Sequence, residues 1–373
     1  MFKKIFYFLS VAAIIVACSS KDSPDPSTSS DRVAMLTNLG KNVIVPSFEA
    51  FSTSSQSLAK AASDYAADTK SEAKLTALQT AWTATAASWK TASLFTQGPI
   101  EDDFLSSGIY FTTTNYTGIE KAITQTTATI DNAYIESLGA TLKGIPAIEY
   151  LLFSTTGNAA VIGGYTGVNG AQRAAYLKAL TVNLQNQAAN VVTKWKSDGG
   201  NYVKTFIAAD GSDINSSLGI LSNKMIDLIY TIKDERIGAP LGKRTNGTPQ
   251  PDLVDAKFSN ASLTLMKAEL QSLENAFTGK SLSGSDGSGI DDILDKANAM
   301  SGSVLLSKKI KDQFAVVKGK LDLITVPLSS AVTTQQAAVS ALYDEVKRLQ
   351  VMMEVDMINN LGVLLTFSDN DGD

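Results

Sequence analysis

Histidine is absent from this chain, and cysteine occurs once, as Cys18. Each absence removes a class of chemistry. Serine and cysteine nucleophiles activated by an imidazole are excluded, because no residue can play the base. A protein-built zinc site loses its two principal ligand types. With a single thiol there is no internal disulfide, so the fold must rest on its apolar core alone. Charge is also sparse, at 18% of residues, with a net charge of −5 and no cluster of lysines or arginines. A mildly acidic surface without basic stretches is a poor partner for nucleic acid. The Gly-rich stretch 157–170 carries no phosphate-loop pattern, since neither Gly-Lys-Ser nor Gly-Lys-Thr lies in it. What remains open is an all-oxygen site for a hard cation, or a site that binds without catalysing. No cofactor is assigned.

Apolar residues make up 44% of the 373, enough for one large domain or two of ordinary size. The chain opens with Lys3 and Lys4, then an apolar run from Ile5 to Val16, and then Ala17-Cys18. This is the pattern of a secretory leader too short to span a membrane. Its end resembles a bacterial lipoprotein signal, with residues 1–17 removed and Cys18 as the lipid-bearing first residue. The alternative is a soluble secreted protein whose leader happens to end in Cys. Residues 18–31, rich in Ser, Asp and Pro, are expected to form a flexible tether. The expected location is the cell envelope, on an outer-membrane lipoprotein facing the periplasm or the surface.

Beyond residue 32 the dominant signal is helical period. Leu75, Leu78, Trp82 and Trp89 form one seam; Tyr176, Leu177, Leu180, Leu184, Ala188, Val191 and Trp195 a second. Val339, Leu342, Val346, Leu349, Met353 and Met357 form a third. Pro46 should kink its helix or mark a new start. The Gly-rich stretch 157–170 and the stretch 233–242, which holds Gly238 and Pro240, are expected to be loops. The fold class is all-α, with an N-terminal bundle over 32–198 and a C-terminal bundle over 199–373, divided at Asp198-Gly199-Gly200.

One decad carries the functional argument: Gly144-Ile145-Pro146-Ala147-Ile148-Glu149-Tyr150-Leu151-Leu152-Phe153. In a helix, Glu149 is flanked at i−4, i−1, i+3 and i+4 by Ile145, Ile148, Leu152 and Phe153, so its carboxylate points toward the core. An ionised carboxylate there costs several kcal/mol unless donors or a cation meet it. It is either a structural Glu paired with one Arg or Lys, or a ligand-binding group at a cleft floor. Arg236 is the expected partner, directly or through a ligand. Glu235 and Asp103 are lesser members of the same expected pocket.

The decad resembles the Gly-x-His-x-x-Glu motif of the imelysin-like family of envelope metallopeptidases. Gly144 and Glu149 match, while Pro146 stands at the His position. Arg236-Ile237-Gly238-Ala239-Pro240-Leu241-Gly242, Phe258-Ser259-Asn260-Ala261-Ser262-Leu263 and the terminal residues 367–373 resemble further family segments, in family order. The resemblance spans about Val33 to Asp373. It implies two packed helical bundles with the motif helix near their interface, and a branch carrying Pro in place of His. It also implies three competing roles: a ligand-binding lipoprotein linked to iron or haem uptake, a metallopeptidase, or a scaffold with a vestigial site. The lack of His and of a free Cys disfavours the peptidase, and Glu149 with the Glu235-Arg236 turn favours the binding role over the scaffold. Its partners would be the membrane, through lipid on Cys18, and a small ligand or an envelope protein.

The lipid anchor is directly testable. Replacing Cys18 by Ala should abolish incorporation of labelled fatty acid and release the protein from the membrane fraction. A variant that still takes label and still sediments with membrane would refute the anchor.

Overall fold

The computed structural model describes residues 28–366, and within them the chain is all-α save for one two-stranded hairpin. The expected leader and Cys18 lie outside the described residues, as do residues 367–373. The first helix starts inside the segment expected to be tether. Helix α1 runs Ser29–Asn38, with the Thr28 side chain accepting from the Asp31 amide. A Thr N-cap satisfies one of the orphan donors of the first turn, and Asp31 is further held by Lys296.

From α1 the chain passes through a π-helical segment, Leu39–Ile44, directly into α2, Val45–Ala66. Pro46 thus marks a new start, that of α2, and not a kink within a helix. It sits in the first turn of α2, and the wider π turn before it shifts the register where its ring would otherwise meet a carbonyl. Helix α3, Glu72–Ala92, follows a short turn and packs along α2, burying Leu75, Leu78, Trp82 and Trp89 as the spacing requires. The motif decad forms α4, Gly144–Leu152, and α5 runs Gly170–Trp195 along the other side of α2.

The second half begins with α6, Ser217–Tyr230. Here the expected loop at 233–242 is helical: a π-helical segment Thr231–Gly238 carries the chain on to a last turn Ala239–Leu241. Gly242, at φ +90°, ends it. The stretch 157–170 is likewise not a loop, because Asn158–Thr166 is a helix. Buried Val161 and the Tyr165 hydroxyl, which donates to the Leu151 carbonyl at 3.1 Å, dock it on α4. Tertiary packing overrides glycine's weak preference there. Helices α7 (Ser262–Thr278), α8 (Leu306–Asp322) and α9 (Gln336–Val351) complete the half. Helix α9 continues through a third π-helical segment, Met352–Met357. The hairpin, Met300–Ser301 with Val304–Leu305, precedes α8.

The halves share one apolar core that runs from Met35 to Val363. The main seam between them is α7, which packs on α3 on one side and on α8 on the other. The motif helix stands beside this seam, in contact with α3. The Trp82 indole N–H donates to the Ile145 carbonyl at 3.0 Å, and the Trp82 and Phe153 rings meet edge to face at 5.1 Å. Both ends of α4 are thus tied to one tryptophan of α3.

Gly144 is the other fixed point. Its φ is +79°, and a Cβ built there would lie 2.4 Å from the Ile109 carbonyl oxygen. Gly144→Ala should therefore lower stability by about 2 kcal/mol or more, through the left-handed backbone and the clash together. Gly139→Ala is the control, since its φ is −64° and nothing lies within 4 Å of its Cβ position. The comparison is between urea midpoints at unchanged slope. Equal, small effects of the two substitutions would show that Gly144 does not constrain α4.

Candidate functional site

Glu149 is buried, at 6% exposure, as its neighbours in the sequence demand. Its partner is a serine. The Ser259 amide and the Ser259 hydroxyl both donate to Glu149 Oε1, each at 2.8 Å. Ser259 lies in the irregular segment before α7, where Ala256 (φ +50°) and Asn260 (φ +58°) adopt left-handed backbone conformations unusual for residues with a side chain. The segment is closed on itself by the Ala261 amide, which donates to the Ser259 hydroxyl at 3.3 Å, and by the Ser262 hydroxyl, which donates to the Asp255 carbonyl.

Asp255, four residues earlier, anchors the other end of that segment in a buried charge cluster. The Lys90 ammonium, 3% exposed at the end of α3, lies 3.0 Å from Asp255 Oδ2 and 2.9 Å from Glu269 Oε1 of α7. Arg236 reaches the same two carboxylates from the π-helical segment, with Nε 3.5 Å from Asp255 and 3.7 Å from Glu269. The Tyr110 hydroxyl donates to Asp255 Oδ1 at 2.5 Å, and its ring lies 4.0 Å from the Lys90 nitrogen. That contact adds a cation–π attraction to the ion pairs.

Burial alone would raise the Asp255 carboxyl, but Lys90, Arg236 and the Tyr110 hydrogen bond outweigh it and hold it well below the usual carboxylate range. Burial pulls Arg236 toward neutrality, and Asp255 and Glu269 more than reverse this, so its pKa rises above an already high value. Tyr110 is pushed well up by burial and by the Asp255 charge. Glu149 behaves differently. Burial raises its pKa to about 7, against the lowering effect of the Ser259 hydrogen bonds, and the Asp255 charge pushes it further up. The cluster therefore contains two cations balanced by two carboxylates, plus a third carboxyl that holds its proton near neutrality.

Of the residues expected in the pocket, the structure brings Arg236 into the cluster but not onto Glu149. Arg236 pairs with Asp255 and Glu269, and Glu149 is met by Ser259 instead. Glu235 is not a member: it forms a half-exposed pair with Arg244. Neighbours in a helix point in different directions, so a buried Arg236 sends Glu235 outward. Asp103 is half exposed and pairs with Lys194. Pro146 occupies the first turn of α4, where its missing N–H is no loss. Sequence reasoning missed Lys90, Asp255, Glu269, Tyr110 and Ser259. A signal existed for two of them, since Lys90 and Glu269 lie on apolar helix faces just as Glu149 does.

The family motif implies a metal held between a His and the Glu, and the residues here do not fit one. Pro146 offers no ligand atom, and Glu149 Oε1 already accepts two hydrogen bonds. The charged side chains that share the cluster's carboxylates are cations. Among the described residues no group of three or more His, Cys, Asp or Glu is placed to hold a metal ion. Of the cluster's carboxylate oxygens, Glu269 Oε2 is buried without a hydrogen-bond partner, whereas Asp255 Oδ2 is shared by the Lys90 and Arg236 cations.

Comparison with known proteins agrees with the all-α fold. The family model described as Imelysin, a peptidase family by designation, matches residues 44–353. An imelysin-like protein from Psychrobacter arcticum 273-4 has a similar structure, with a TM-score of 0.74 at 18% identity over 91% of this chain and 98% of that one. A putative iron-regulated protein A precursor from Parabacteroides distasonis ATCC 8503 is similar at a TM-score of 0.73 and 16% identity, over 90% of this chain and 96% of that one. No curated protein matches.

The Glu149 carboxyl makes a pH prediction with a definite sign. Its folded pKa, about 7, lies above the ordinary 4.5, so the folded state holds a proton that the unfolded state has released between those values. Stability should fall as pH rises from about 4.5 to 7 and level off above, by about 3 kcal/mol in total. In Glu149→Gln, urea melts across that range should lose this fall. A variant whose stability declines as steeply as the parent's would refute the assignment.

Proposed function

We propose, for a chain that belongs to the imelysin family, a role in binding rather than catalysis: an envelope protein, anchored by lipid on Cys18, that takes a ligand tied to iron uptake at the Arg236–Asp255–Glu269 cluster. The observation that carries the reading is the chemistry of that cluster. Its charges balance without a metal, yet Glu269 Oε2 is buried with no hydrogen-bond partner and Arg236 Nε makes only long contacts, at 3.5 and 3.7 Å. Buried polar atoms rarely remain in that condition, and a polar guest that both donates and accepts would satisfy them. The link to iron rests on family membership and on the iron-regulated protein A precursor among the similar structures. Among the described residues no helix is long and apolar enough to cross a membrane, in keeping with attachment through a lipid.

A peptidase of the family's named type would need a metal to lower the pKa of a bound water and a base to take its proton. Pro146 and the cations of the cluster argue against that arrangement. A scaffold role would require the cluster to be structural only. The reading is tested by titrating the protein with ferric citrate and with haemin while following its melting temperature and intrinsic fluorescence. One of the two should bind saturably, and Arg236→Gln should weaken binding at least tenfold while the variant remains folded. Zinc-dependent peptide cleavage abolished in Glu149→Gln would establish the peptidase instead. Failure of both probes to bind, with no cleavage, would favour the scaffold.

A further inference from the structure

Helix α9 and the π-helical segment that extends it expose a continuous stripe on the side facing away from the core. Asp344, Lys347, Arg348, Val351, Met352 and Asp356 line a groove of about 490 Å³ along this face. Val351 is 48% exposed and Val355 47%, so two β-branched apolar residues stand in water at the middle of the stripe. Arg348 lies on its N-terminal side, with a side chain 64% exposed and bonded only to its neighbour Glu345 one turn back. Asp356 lies on its C-terminal side.

Inside the outermost Asp344, the order along the stripe is two cations (Lys347 and Arg348), apolar centre, anion. Such a pattern is complementary to itself when reversed. Arg348 and Asp356 are eight residues apart, roughly 12 Å along a helix, with Met352 midway between them. From this we infer that the face pairs with a second copy of itself, antiparallel about a two-fold axis passing near Met352. Each Arg348 then meets Asp356 of the second copy, twice over by symmetry, and Val351 and Met352 of the two copies pack at the centre. Val355 lies against the aliphatic stem of the opposing Arg348. At the outer edge Asp344 falls opposite Asn360, a pairing without like-charge repulsion. The interface is isologous, as expected for a homodimer with closed symmetry. The groove accepts the opposing side chains as ridge into groove. One helix face buries less than the roughly 1,200–2,000 Å² of a stable complex, so the dimer is weak and exchanges rapidly.

Sedimentation of the full chain in density-matched detergent, over a protein range of micromolar to millimolar, tests this. The wild type should show a concentration-dependent monomer–dimer equilibrium. The pair Val351→Lys with Val355→Lys should abolish it, and Arg348→Asp or Asp356→Arg alone should weaken it at least tenfold, since each places like charges opposite one another. The swapped double variant, Arg348→Asp with Asp356→Arg, should recover at least most of the lost affinity. Arg348, Val351 and Val355 are exposed and Asp356 is half-buried, so circular dichroism and melting, which should be unchanged, are measured on each variant to separate folding from association. A wild type that is monomeric throughout would overturn the inference and leave the face to some other partner. So would a dimer that survives both Val substitutions, or a swapped variant no better than its parents.

Discussion

The Lys90 ammonium, held between Asp255 and Glu269 with almost no access to water, is the interaction on which the arrangement of the two halves depends. An amine at 3% exposure is tolerable only if carboxylates meet it at hydrogen-bonding distance. Those carboxylates come from α7 and from the segment before it, whereas Lys90 belongs to α3. Arg236 arrives from the far end of α6 and needs the same two acids. None of the four charges is neutralised within its own element. Docking of the halves and neutralisation of the cluster therefore occur together, and the apolar seam between α3 and α7 cannot close in a register that leaves one charge behind. Breaking such a set by removing one member costs about 3–5 kcal/mol, far more than an exposed pair.

Two acids suffice for two cations, and this explains why Glu149 stands apart. Were Glu149 ionised, the cluster would carry a net negative charge in a region that water does not screen. The Ser259 amide and hydroxyl favour the charged form but do not overcome burial and the nearby Asp255. Asp255 and Glu149 thus experience the same interior with opposite outcomes, because one is adjacent to Lys90 and Arg236 and the other is not. The segment that joins their partners, 255–259, is short and takes a left-handed step at Ala256. Backbone strain of that kind persists where surrounding contacts over-determine it, and here both ends of the strained segment are fixed by buried carboxylates.

Much of this could be seen in the sequence, and the failures have identifiable causes. The tryptophan seam of α3 and the core-facing position of Glu149 follow from period 3.6 and are found as expected. Arg236 was recognisable as a cation at the end of an apolar helix. Its partner was not, because pairing depends on which elements meet, and periodicity is silent on that. Lys90 follows Trp82 by eight residues and Glu269 lies four from both Leu265 and Leu273, so the test that singled out Glu149 applies to both. Asp255 and Ser259 are on irregular backbone and carry no periodic signal. The stretch 233–242 was misjudged for a different reason: Gly and Pro end an α-helix, but a π turn shifts the hydrogen-bond register and lets the chain continue.

That π segment also bears on how the cluster is related to the motif. It runs from Thr231 to Gly238, and the wider turn lies where Arg236 must reach inward from a helix whose earlier contacts are set by Leu218, Leu221 and Met225. Widening a helix is costly relative to regular α geometry, so such segments mark places where a side chain's position matters more than local stability. The side chain so positioned serves the carboxylates of Asp255 and Glu269, and none of these bonds involves position 146. The proline in the motif therefore removes the element that would bind a metal while leaving the electrostatics of the interior untouched, since Glu149 is held by Ser259 and the cations by Asp255 and Glu269. A site whose charge balance needs no histidine keeps its buried, polar interior when position 146 offers no metal ligand. The binding role proposed above rests on such an interior.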